Sequence, residues 1–192
     1  LLLASTSALP QAPDAEQRAK EIAAFCAKAY CRPARTVRVR LEDGSTFEKE
    51  VPRLPIVLPN GWITVFAGEQ VHIELTADKG NLAARAVPKV VNPKNTVSFR
   101  LVQAEGAAMR LAVSHNLPAS LKYSLGLMLP TGGGLQASAS CAVAAGAVTN
   151  ETWDYPVFQA VIVNLGFLPA RAALNCGPCA PREYCSRKLR RR

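Results

Sequence analysis

The sequence predicts a mainly antiparallel β-sandwich with one N-terminal amphipathic helix, and three observations carry that prediction. Short segments alternate apolar and polar residues with a period of two. Turn residues separate them at intervals of about a dozen, as in sandwiches and barrels. No long helical pattern lies between them, which speaks against parallel βαβ units.

The elements follow in order. Asp14 stands where an N-cap belongs and Gln17 at the capping-box position. From there toward Cys31 the period is helical, with Ile22, Phe25, Cys26 and Ala29 on one face. After Pro33 the period becomes two: Val37, Val39 and Leu41 alternate with Arg38, Arg40 and Glu42. Asp43-Gly44 signals a turn, and Phe47 and Val51 continue on a second strand. Pairing Leu41 with Phe47 sets Arg40 against Glu48 and Arg38 against Glu50, a solvated face of cross-strand charge pairs. Further strands are expected at 62–66, 71–75, 82–91, 97–102, 109–114, 121–129, 135–143 and 157–165. The domain organisation expected is a signal-peptide remnant and linker at 1–13, the helix at 14–31, a sandwich at 34–170 and a Cys-rich basic extension at 171–192. The sandwich is expected to be immunoglobulin-like in the broad sense of two packed antiparallel sheets.

At 192 residues the chain suits one sizeable domain, and its 49% hydrophobic content can fill a core. Aromatics make only 6%, so that core must lean on Val, Leu and Ile from strands. Leu1-Leu2-Leu3-Ala4-Ser5-Thr6-Ser7-Ala8 reads as the end of a secretory signal, so a periplasmic or secreted compartment is expected. No later apolar run approaches the roughly 20 residues of a membrane-spanning helix.

Six cysteines, Cys26, Cys31, Cys141, Cys176, Cys179 and Cys185, form an even set, and disulfides are expected among them. Cys26 and Cys31 are able to pair only if the helix ends before Cys31. Cys176-Gly177-Pro178-Cys179 resembles the active-site tetrapeptide of thioredoxins, and the resemblance covers those four residues alone. It implies thiol–disulfide exchange by a low-pKa Cys176. Only 13 residues follow Cys179, and Asn175 stands where that family has Trp, so a thioredoxin fold has no room to be completed. A structural role for these cysteines is the preferred reading. No metal site or cofactor is expected, because the Cys176, Cys179 and Cys185 intervals lack a fourth nearby ligand.

No catalytic residue is expected. Gly132-Gly133-Gly134 lacks a following Lys-Ser/Thr and reads as a turn. His72 is expected to point outward on its strand, and His115 to be a surface residue at a strand end. Glu42, Glu48, Glu50, Glu69 and Glu74 read as solvated charges. The segment Asn150–Pro156 reads as a loop in which Trp153, Asp154 and Tyr155 offer a partner-binding surface, or in which Trp153 plugs one end of the sandwich.

The net charge is +9, and from Arg182 onward six basic residues face one acidic, so this tail holds +5 of it. Arg187, Lys188, Arg190, Arg191 and Arg192 are candidates for docking on an anionic surface. Nothing in the chain suggests sequence-specific nucleic-acid reading. The function expected is a non-enzymatic binding or scaffold module of the cell envelope, with an unidentified protein or envelope component as partner. A redox protein and an anionic-surface binder are the alternatives.

Overall fold

A computed structural model describes residues 15–78 and 81–177. Helix α1 spans Ala15–Cys26. The strands are β1 (Cys31–Arg32), β2 (Arg35–Arg40), β3 (Thr46–Val51), β4 (Leu54–Pro55), β5 (Ile63–Phe66), β6 (Glu69–Asp78) and β7 (Asn81–Val87). After a 3-10 turn at Pro93–Asn95 come β8 (Thr96–Gln103), β9 (Met109–His115), β10 (Leu121–Met128), β11 (Leu135–Ser138) and β12 (Ser140–Cys141). The last are β13 (Val148–Trp153), β14 (Gln159–Phe167) and β15 (Cys176–Gly177).

Two antiparallel sheets make the sandwich, as the alternation predicts. One has five strands in the order β13-β9-β8-β6-β7, the other four in the order β11-β10-β14-β5. The chain crosses from β9 to β10 and again from β13 to β14. Because β13 lies beside β9 and β14 beside β10, the two crossings interlock and tie the sheets together. Val71, Ile73, Phe99, Leu101, Leu111 and Val113 fill the space from one sheet. Ile63, Val65, Tyr123, Leu125, Leu127 and Ile162 meet them from the other. Phe99 and Tyr123 pack edge to face, with ring centroids 6.1 Å apart.

The hairpin of β2 and β3 closes one side, with Val37, Val39 and Val51 buried. Its register differs from the sequence expectation by two residues. Leu41 pairs with Ser45, not with Phe47, across a loop of residues 42–44 in which Gly44 adopts φ +84°. Asp43 Oδ1 accepts the Ser45 N–H at 2.9 Å and so favours the tighter loop. Arg38 therefore faces Glu48, bonded at 2.6 Å, and Arg40 faces Thr46. The slip is an even one, so every side chain keeps its face. Gln103 ties the hairpin to β8: its amide accepts the Arg40 N–H at 2.9 Å and donates to the Arg40 carbonyl at 2.8 Å.

Helix α1 stops at Cys26, five residues short of the expected end. A continuous helix would hold residues 26 and 31 more than about 8 Å apart. The chain instead turns through Ala27–Tyr30, and a Cys26–Cys31 disulfide forms at a Cα separation of 5.5 Å. Cys26 is buried, Ile22 and Phe25 are half-buried, and Arg53 donates to the Cys26 carbonyl at 3.2 Å. A cation at the helix C-terminus complements its dipole. None of the helices among the described residues is long and apolar enough to cross a membrane.

Candidate functional site

The structure separates the residues singled out in the sequence into two regions. At the C-terminal end, Cys141 is bonded to Cys176, and β15 pairs with β12 at that position. Cys176 is therefore joined to a residue 35 positions upstream, and its sulfur is not a free nucleophile. Cys179 and Cys185 lie outside the described residues. So do the signal-like residues 1–8, the Asp14 cap, and the tail with Arg187, Lys188, Arg190, Arg191 and Arg192.

The expected aromatic loop is mostly a strand. Val148–Trp153 is β13, paired with β9 from Val148↔Ser114 to Trp153↔Met109. Trp153 is 7% exposed, belongs to the core, and donates from Nε1 to Ser138 Oγ at 3.1 Å. It plugs the sandwich and presents no free face to a partner. Tyr155 is half-buried against the core, and burial first, then the Asp154 charge, raises its pKa. Only Asp154 is exposed.

Beside Trp153 lies a polar cluster that the sequence did not announce. Glu151, two residues before Trp153 on the same strand face, also points inward and is 9% exposed. One of its oxygens accepts the Cys141 N–H at 2.6 Å and the Tyr123 hydroxyl at 3.2 Å. Ser140 Oγ donates to the Tyr123 carbonyl. Burial, reinforced by the Glu151 charge, drives the Tyr123 pKa upward and keeps the phenol a donor. This cluster joins β10, β12 and β13 beneath the second disulfide. It is closed.

The other region is open. β7 ends at Val87, opposite His72. The next residue, Pro88, has no N–H with which to continue the ladder. The edge of β6 at Glu69–Val71 is thereby left uncovered by β7. A recess of about 240 Å³ lies here, and Tyr30, Arg32, Arg35, Gln70 and His72 supply its polar lining.

Arg32 is the unexpected residue. Its side chain is 2% exposed, with the guanidinium 4.5 Å from the centroid of the Phe66 ring. Nη2 donates to the Thr64 carbonyl at 2.6 Å and to Thr64 Oγ1 at 2.8 Å. Nη1 lies 3.0 Å from Glu69 Oε2 as an ion pair without in-line hydrogen-bond geometry. Nε finds no acceptor among the described residues. Glu69 reads in the sequence as a solvated turn residue, yet it is 8% exposed and also accepts the Phe66 N–H at 2.9 Å. The tight turn through Gly68, at φ +74°, folds Glu69 back under β5.

The electrostatics follow from burial. Desolvation lowers the Arg32 pKa to about 10 against the pull of Glu69, with Arg35 lowering it further. The group remains cationic at neutral pH. Desolvation raises the Glu69 carboxyl, while Arg32, the Phe66 N–H and Arg35 oppose that rise. Arg35 is half-buried at the same recess, and Nη2 reaches the Ala67 carbonyl only at 3.5 Å. His72 Nδ1 and Ser98 Oγ are 2.8 Å apart, and desolvation lowers the imidazole pKa. The recess thus offers fixed positive charge and hydrogen-bond donors. Its one carboxylate is held by an arginine and a backbone amide.

His115 also departs from expectation. It is 5% exposed, and Nδ1 accepts the Leu117 N–H at 3.2 Å, which places the ring proton on Nε2. Desolvation lowers its pKa, with the Val143 carbonyl opposing. It lines a second hollow of about 220 Å³ with Val90, Pro93 and Val148. Among the described residues no group of three or more His, Cys, Asp or Glu side chains is placed to hold a metal.

Neither the buried arginine nor the open edge had a sequence signal. Arg32 sits between Cys31 and Pro33, outside any periodic segment, and its partner Glu69 follows 37 positions later. No protein-family model, curated protein or solved structure matches the chain.

Proposed function

We propose that this chain is an exported, non-enzymatic binding module of the cell envelope that holds its ligand in the recess beside Arg32, Arg35 and His72. The observation that carries this reading is the open recess of about 240 Å³ at the uncovered edge of β6, where Arg35 is half-buried and, among the described residues, makes only a 3.5 Å contact to the Ala67 carbonyl. The two disulfides fit an oxidising compartment outside the cytoplasm. Glu69 is committed to Arg32 and Phe66, so the recess is arranged to hold charge in place and not to shuttle protons.

Site-specific photo-crosslinking in an exporting cell tests the reading. A photoreactive residue replacing Gln70, in the recess, is expected to yield a discrete adduct. The same residue replacing Glu42, at the exposed tip of the β2–β3 hairpin, is expected to yield none. Identical patterns at both positions, or no adduct at Gln70, would overturn the assignment.

A further inference from the structure

We propose that the recess binds an extended segment of a partner protein by strand addition at Gln70, with an acidic side chain of that segment held by Arg35. The inference rests on the binding-module reading and adds the class of ligand.

The ladder decides which backbone groups are open. Successive residues of an antiparallel strand aim their N–H and C=O alternately at its two edges. Ala104 donates from its N–H to the Ala108 carbonyl at 2.8 Å, so Val102, Arg100 and Ser98 turn their peptide groups toward β9. Leu101, Phe99 and Val97 turn theirs toward β6, where they meet Glu69, Val71 and Ile73. Gln70 and His72 therefore face the opposite edge of β6. His72 finds Val87 there, the last residue of β7. Gln70 is exposed, and among the described residues its N–H and C=O have no partner.

A donor and an acceptor side by side on a strand edge match the C=O and N–H of another extended chain. An inorganic anion accepts from the N–H but has nothing to donate to the carbonyl. The recess of about 240 Å³ lies below the roughly 300–1,000 Å³ of pockets for drug-sized ligands. It suits one side chain of a segment lying along the edge, not a molecule enclosed whole.

Charge decides the character of that side chain. Glu69 balances Arg32, whereas Arg35 reaches the recess with only the long contact to the Ala67 carbonyl. Arg100 stands opposite Gln70 on β8, and Lys89 follows Pro88 where β7 has stopped. Both are exposed, and neither is in an ion pair among the described residues. Three cations without a carboxylate partner favour an acidic segment, and an arginine fork suits its planar carboxylate. The same cations disfavour the basic residues of this chain from Arg182 onward as the occupant.

The test follows amide hydrogen exchange by NMR in the full chain with its disulfides intact. In the free protein the Gln70 amide is expected to exchange about tenfold or more faster than the Val71 and His72 amides, which are bonded within the sheet. The probe is N-acetyl-Thr-Val-Asp-Val-Thr-amide, which is expected to slow exchange at Gln70 and shift the Arg35 Nε–H resonance. Its Asn analogue is expected to bind about tenfold more weakly. The Asp peptide N-methylated at every backbone amide is expected to leave Gln70 unprotected. Arg35→Gln is expected to bring the Asp peptide down to the level of the Asn peptide. Arg110→Gln, on the exposed outer face of β9, is expected to change neither. Protection of Gln70 in the free chain, equal binding of the Asp and Asn peptides, binding of the N-methylated peptide, or no binding at all would overturn the proposal. So would Gln70 protection that grows with protein concentration alone, which assigns the edge to a second copy. If the proposal fails while the Gln70 adduct persists, the ligand class is wrong and the binding module stands. If the adduct is lost as well, the site itself falls.

Discussion

Each of the two disulfides among the described residues lies close to a buried glutamate, and the two glutamates are treated differently. Glu151 is satisfied by neutral donors, the Tyr123 hydroxyl and the Cys141 amide, inside a cluster that seals one end of the sandwich. Glu69 is set against a buried arginine at an edge where a proline has stopped the neighbouring strand. In the first arrangement the hydrogen-bonding capacity is turned inward and joins three strands. In the second, the arginine keeps an N–H without an acceptor among the described residues, sealed from solvent, and an open recess lies beside the pair. The contrast teaches that burial of a charged group does not by itself mark a site. What marks one is a charged donor that reaches an opening, as the half-buried Arg35 does at this recess.

The contrast can be broken most sharply at Arg32. Glu69→Ala is expected to cost about 3–5 kcal/mol in chemical denaturation, because it strands a buried guanidinium. Arg32→Met together with Glu69→Leu is expected to recover most of that loss, since an apolar pair of similar volume carries no desolvation penalty. A double variant as unstable as the single one would show that the pair holds the fold in more than charge.

The disulfides give the next largest difference. Replacing both Cys141 and Cys176 by Ser removes a link across 35 residues and is expected to cost about 4 kcal/mol. Replacing both Cys26 and Cys31 opens a five-residue link and is expected to cost about 2 kcal/mol. Melting of the two variants side by side orders them.

The smallest effect is a pH slope. His72 and His115 have folded-state pKa values below 6.5, so the unfolded chain binds protons first as pH falls. Stability is accordingly lost from about pH 7.5 toward about pH 5. Glu69 has the opposite sign: its raised pKa lets the folded state take a proton first, which offsets part of that loss. The Arg32→Met, Glu69→Leu variant is therefore expected to lose stability more steeply over this range than the parent chain. Equal slopes in denaturation midpoints would remove Glu69 from the account.

Much of the sandwich was legible because a half-buried strand leaves a period of two. The pattern Val37, Val39 and Val71, Ile73, Leu75 marks inward faces whatever the partners are. The same logic survived the error in the β2–β3 register, since an even slip leaves each face intact. It failed at β13, where Asn150, Glu151 and Thr152 are polar enough to read as a loop. Placing Trp153 in the core and stepping back by two would have turned Glu151 inward with it. The candidate site was illegible for a different reason. Arg32 has no periodic context, Glu69 looks like any turn carboxylate, and their meeting depends on how β1 and β6 are set against each other. Only long-range packing decides that. His115 was misplaced similarly: a strand end next to Asn116 and Pro118 looks exposed until the Val143 bridge to Leu121 brings that segment close.

The two sulfur links also differ in when they can close. As the chain emerges from its N-terminal side, Cys31 follows Cys26 by five residues, so that bond needs nothing more than a local turn. Cys141 must wait 35 residues for Cys176, while β13 and β14 are laid down between them. The early bond is indifferent to whether the domain has been assembled. The late one records that β13 has reached β9 and that β14 has joined β10, and it bolts the finished arrangement shut.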